Sequence, residues 1–154
     1  MPRTLISLFA FFLVLGGLFG SPAQAQDDIH SHRQCAECGM DRKAYGFSRM
    51  LLIDAAGKEV GVCSLHCAVE AMAGQREPLK TLLVADRNTH ELIPAEAAIW
   101  VLGGKKRGVM TQRAKWAFKE KAAAESFLKE YGGEIVTWEE ALAAARADAL
   151  PKSR

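Results

Sequence analysis

The sequence predicts an α+β protein in which two strand-strand-helix halves pack as one small domain behind a cleaved export signal. Three observations carry that prediction. Two apolar runs, Phe47–Asp54 and Lys58–Cys63, flank the turn residues Ala55-Ala56-Gly57 and lead into the helically spaced run Leu65–Ala73, closed by Gly74. A second series of short apolar runs begins beyond Glu77-Pro78 and ends in another helical stripe, Lys121–Tyr131, closed by Gly132-Gly133. All four cysteines lie in the first series, between Cys35 and Cys67.

The opening 25 residues have the layout of a secretory signal. Arg3 gives the positive start, Leu5 to Gly20 is apolar apart from Ser7, and Ala23-Gln24-Ala25 is an A-x-A exit. Cleavage after Ala25 leaves a periplasmic chain that begins at Gln26 and has no stable membrane span. No lipobox cysteine sits at the cleavage site. Loss of Arg3 lowers the formal charge from +2 to +1. So even a balance offers no electrostatic footprint for nucleic acid.

Residues 26–34 are polar and aperiodic and read as a flexible lead-in. Its His30 and His32 have no third fixed ligand nearby and read as solvated. The remaining residues, 35–154, form the expected metal-binding domain, with halves at about 35–76 and 77–154. In the first half, Ser64 is placed to cap the helix. In the second, Leu79–Asp86 is a strand, Arg87 to His90 a turn, Ile93-Pro94 a short return and Ala97–Leu102 another strand. The loop Gly103–Gly108 is basic, and Ala114–Phe118 alternates like a half-buried strand. After the helix Lys121–Tyr131, with Ala124, Phe127, Leu128 and Tyr131 on its apolar stripe, come a short strand, Glu134–Trp138, and a terminal helix, Glu139–Ala149, stopped by Pro151.

Cys35-Ala36-Glu37-Cys38-Gly39-Met40 and Cys63-Ser64-Leu65-His66-Cys67 gather thiols, a thioether and an imidazole, the donor set of a soft metal ion. Three arrangements compete. Cys35, Cys38, Cys63 and Cys67 have the rhythm of a zinc(II) tetrathiolate, with His66 able to replace one thiolate. Cys38 and Met40, two apart around Gly39, suit copper(I), which accepts low coordination numbers and sulfur donors. Cys35 and Cys38 also form a C-x-x-C pair of the thiol-disulfide kind, although no strand precedes it and no helix follows.

Met110 sits between Gly108 and Thr111 at a loop edge, where core packing does not account for it, whereas apolar periodicity accounts for Met50 and Met72. There is no Ser/His/Asp series, no carboxylate pair in an apolar setting and no phosphate-cradling loop, since Gly103-Gly104-Lys105 lacks the required spacing. The sequence therefore points away from an enzyme.

Taken together, Cys35-x-x-Cys38-Gly39-Met40, Gly108-Val109-Met110-Thr111, Ala114–Phe118 and the Gly132-Gly133 helix stop resemble the NosL family of nitrous oxide reductase accessory proteins. The resemblance covers most of the chain after the signal. It implies a periplasmic copper(I) metallochaperone with two ββα-like halves and a copper-receiving enzyme or its assembly transporter as partner. It also implies Cys38, Met40 and Met110 as the copper ligands. Many family members are lipoproteins, and this chain departs from them in having no lipobox. The Cys63–Cys67 segment resembles the cysteine-rich TRASH-like metal modules and keeps a zinc site in play.

Overall fold

The computed structural model describes residues 27–149. The export signal, its cleavage site and the stop at Pro151 lie outside the described residues. The elements in order are α1 (Asp27–Ser31), β1 (Met50–Asp54), β2 (Glu59–Val62), α2 (Leu65–Gly74), β3 (Leu79–Ala85), β4 (Leu92–Pro94), β5 (Ile99–Leu102), β6 (Lys115–Phe118), α3 (Lys121–Tyr131), β7 (Glu134–Val136) and α4 (Trp138–Ala149). This is the expected α+β architecture.

Two antiparallel sheets form, one ordered β2-β1-β3-β4 and the other β6-β5-β7. Two ββα units are present, β1-β2-α2 and β5-β6-α3. The seam between the sheets, however, falls after β4 and not at Glu77-Pro78. The β3-β4 hairpin joins the first sheet because β3 pairs along β1, Met50 opposite Val84 and Leu52 opposite Leu82. That pairing gives β1 two neighbours and buries Met50 and Leu52 completely.

One apolar core joins the sheets and helices. It runs from Cys35, Cys63, Cys67 and Leu65 through Met50, Leu52 and Val84 to Trp100, Ala141 and Ala145. Trp100 and Trp138 stack with ring centres 5.6 Å apart, fastening α4 over β5. A second cluster of Val101, Trp116, Phe118, Ala124 and Phe127 lies between the second sheet and α3. The sheets are also tied by polar bonds. The Arg87 amide donates to the Ala117 carbonyl at 2.8 Å, and the Lys119 amide donates to Asp86 Oδ2 at 2.7 Å.

Two expectations are corrected. The lead-in is not free chain: Asp27–Ser31 is a short helix, and its Asp28 carboxylate is buried between two guanidinium groups. Four of its five residues are polar and Ile29 alone makes no apolar stripe, so periodicity could not register a helix fixed by tertiary ion pairs. The segment Lys115–Phe118 is also not half-buried, since all four residues are buried. Lys115 tolerates this because its Nζ donates to Thr111 Oγ1 at 2.7 Å, to the Arg113 carbonyl at 2.8 Å and to Asp148 Oδ2 at 2.6 Å.

Candidate metal centre

The cysteines arrive from three directions. Cys35 and Cys38 lie in a tight hairpin preceding β1. In it the Cys35 amide donates to the Met40 carbonyl and the Gly39 amide to the Cys35 carbonyl, each at 2.9 Å. Gly39 has φ +74, which only glycine adopts at no steric cost. An antiparallel bridge between Gln34 and Asp41 closes the hairpin base. The Arg33 guanidinium grips the Asp41 carboxylate at 2.7 Å and holds that carboxyl at about 2, well below its usual range. Cys63 immediately follows β2. Cys67 lies in the first turn of α2, where the Ser64 hydroxyl caps its amide at 3.4 Å.

These elements place the four Sγ atoms within 4.8 Å of one another. Cys63 Sγ stands at the centre, 3.5 Å from Cys38 Sγ and 3.7 Å from Cys67 Sγ, with Ser64 Oγ at 3.9 Å. Cys35, Cys63 and Cys67 are buried, while Cys38 is half-buried and gives the cluster its opening to solvent. None of the four is paired in a disulfide. Hydrogen bonds from Cys67, then from Cys38 and Ser64, pull the Cys63 thiol down to about 6 against the cost of its burial. Donation to Cys63 pushes Cys67 up, and burial is the chief reason that Cys38 rises to about 11. The cluster thus favours the thiolate at Cys63 over Cys38 and Cys67, and a cation that binds all of them must displace protons.

The other expected ligands divide. Met40 is half-buried and packs against the core that contains Cys35, Cys63 and Cys67. His66 is outside the thiol cluster. Its side chain lines a small cavity with Ser48, Ser64, Thr111 and Lys115, and its buried Nδ1 has no hydrogen-bond partner. One residue along a helix turns a side chain by about 100°, so the neighbour of an inward-facing Cys67 points elsewhere. Met110 is 43 % exposed, in left-handed backbone at φ +54, and lines a groove with Thr111, Gln112, Ala147 and Asp148. His32 approaches Glu59, with Nε2 3.3 Å from Oε2.

Sequence reasoning missed a buried cationic cluster that borders the site through Arg42. Arg42 is fully buried and donates to the Val62, Met50, His32 and Asp28 carbonyls as well as to the Asp28 carboxylate. Burial lowers its pKa, chiefly against the opposing pull of Asp28, and Cys35 adds a smaller attraction. Two arginines share one carboxylate, so the cluster keeps a net positive charge, and Arg42 brings it beside Val62 and Cys35, which suits a centre where thiolates outnumber metal charge. Arg49, inside an otherwise apolar run, was the available signal.

The donor set fits a soft or borderline cation, with four sulfurs convergent and one edge open. Among the described residues no helix is long and apolar enough to cross a membrane. No protein of curated function matches the chain in sequence. Among solved structures, the copper chaperone NosL from Shewanella denitrificans superposes with a TM-score of 0.56 at 22 % identity, over 71 % of this chain and 90 % of that one. That likeness is one of fold. The NosL family profile matches residues 26–145, which takes in both sheets, the cysteine hairpin and the Met110 loop, and the chain belongs to the NosL family.

Proposed function

We propose that this protein is a periplasmic copper(I)-binding metallochaperone that delivers copper for assembly of nitrous oxide reductase or a related copper enzyme. The observation that carries the reading is the convergence of four unpaired cysteine sulfurs within 4.8 Å, three buried and one half-buried. Family membership and the naming of the structural relative as a copper chaperone support it. Cys38 and Met40 form the exchangeable edge in this reading. Cys35, Cys63 and Cys67 complete the thiol set, and Met110 offers a thioether from the opposite half of the chain. A cleaved signal at 1–25 and one metal-binding domain at 35–154 belong to the same proposal.

Copper(I) titration of the reduced protein against a chromogenic chelator tests it, beside a Met40 and Met110 double replacement. Tight binding that weakens at least tenfold in the variant supports the thioether edge. Failure to compete with the chelator refutes copper carriage.

One observation favours a second reading, zinc. A zinc–sulfur bond of about 2.3 Å implies tetrahedral edges of ~3.8 Å, close to the separations of Cys63 Sγ from Cys38 Sγ and Cys67 Sγ. Those separations are 3.5 and 3.7 Å. A structural zinc survives loss of both methionines and unfolds the first sheet on removal, which copper carriage does not require.

A further inference from the structure

Resting on the copper reading, we propose a second activity for the thiol cluster. It reduces cupric ion as it captures copper, and the electrons come from Cys38 and Cys63, which close a disulfide. The geometry selects that pair. Their sulfurs are 3.5 Å apart, against 3.7 Å between Cys63 and Cys67. Cys38 is half-buried and the other three cysteines are buried, so an ion arriving from solvent meets Cys38 first.

Closing the bond requires the sulfurs to approach to about 2.05 Å, so one partner must move. Cys38 lies in a surface hairpin beside Gly39 at φ +74, with no residue within 4 Å of that glycine's vacant Cβ position. Cys67, the alternative partner, is fixed in the first turn of α2 by its amide's bond to the Ser64 hydroxyl. The C-x-x-C partner Cys35 is buried, and backbone bonds at both its amide and its carbonyl hold it in place.

The balance is complete without another reagent. Two cupric ions each accept one electron and become cuprous. Cys38 and Cys63 each give up one electron, one S–S bond forms, and any proton still carried by either sulfur goes to solvent. Cys35 and Cys67 remain as thiols and hold one cuprous ion, for which low coordination is acceptable. The second cuprous ion passes to an acceptor.

The test adds two equivalents of cupric sulfate to the anaerobic, fully reduced protein. The expected result is loss of the cupric electron paramagnetic resonance signal, two cuprous ions captured by a chromogenic chelator, and two of the four thiols consumed. Peptide mapping after acid quench and alkylation then finds Cys38 joined to Cys63, and Cys38→Ser slows the signal's decay at least tenfold. A cuprous titration run in parallel separates the two readings. Tight cuprous binding with a persistent cupric signal and four intact thiols overturns this inference and leaves copper carriage standing. A disulfide joining any other pair overturns it as well, whatever the variant does. Loss of cuprous binding overturns both.

Discussion

The Arg42 guanidinium donates from Nη2 to Oδ2 of Asp28 at 2.7 Å, with both side chains shut away from solvent. Arg49 reaches the same carboxylate from the other side, through Nη2 at 3.0 Å. Asp28 is therefore the shared counter-ion of two buried cations. Removing one partner of such an arrangement leaves charge stranded in a medium that solvates it poorly.

Asp28→Ala should accordingly destabilise the protein by about 3–5 kcal/mol, far more than removal of an exposed carboxylate. Urea unfolding reads this directly. A loss below about 1 kcal/mol would mean that water reaches the two guanidinium groups.

Asp86 should contribute to acid sensitivity from a buried position. Burial raises its carboxyl, but amides of Thr89, Lys119 and Asn88 and the Thr89 hydroxyl outweigh that and hold it below its ordinary value. A depressed folded-state pKa contributes stability above the unfolded value of about 3.9, lost as pH falls through the folded one. Asp86→Asn should cost about 1–3 kcal/mol at pH 7, and the gap from wild type should close below about pH 4. A gap independent of pH between 7 and 3 would show that the carboxylate charge is immaterial.

Met110 carries a backbone penalty for a non-glycine residue at φ +54. Met110→Gly should raise stability by up to about 1 kcal/mol, since the relief of strain exceeds the added entropy of an unfolded glycine. If its thioether is a copper ligand, the same variant should bind copper(I) more weakly. Stability lost with copper affinity intact would reverse both assignments.

Metal loading should protect the two sheets unequally. Copper(I) or zinc at 100 times its dissociation constant adds about 2.7 kcal/mol to any opening that breaks the site. Hydrogen exchange should therefore slow in the cysteine hairpin, in β2 and in the first turn of α2, and change little in α3 and β7. Uniform slowing would mean that the chain opens only as a unit.

The contrast between Lys121–Tyr131 and Asp27–Ser31 shows what was legible in the sequence. The first has an apolar stripe and a glycine stop, and its helix was readable to the residue. The second is polar and owes its helix to arginines more than ten residues away. Lys115 misled for the same reason, because the acceptor that permits its burial, Asp148, lies 33 residues on. The cysteine cluster was legible as a donor set. That His66 turns away from it could be learned only once α2 had a fixed orientation. The placing of β3 beside β1 was illegible because apolar strands do not specify their neighbours until turns and helices are placed.

The hairpin that carries Cys35 and Cys38 also covers the rim of the first sheet. The Ala36 amide donates to the Gly61 carbonyl at 3.0 Å, and Arg42 Nε to the Val62 carbonyl at 3.1 Å. β2 is an outer strand, and its unpaired carbonyls would otherwise offer a template for strand addition by another chain. The hairpin that presents the two cysteines thus doubles, through Ala36 and Arg42, as a guard against self-association. Any excursion of that hairpin away from β2 would bare a sticky margin for as long as it lasted, so solubility favours a hairpin that stays closed.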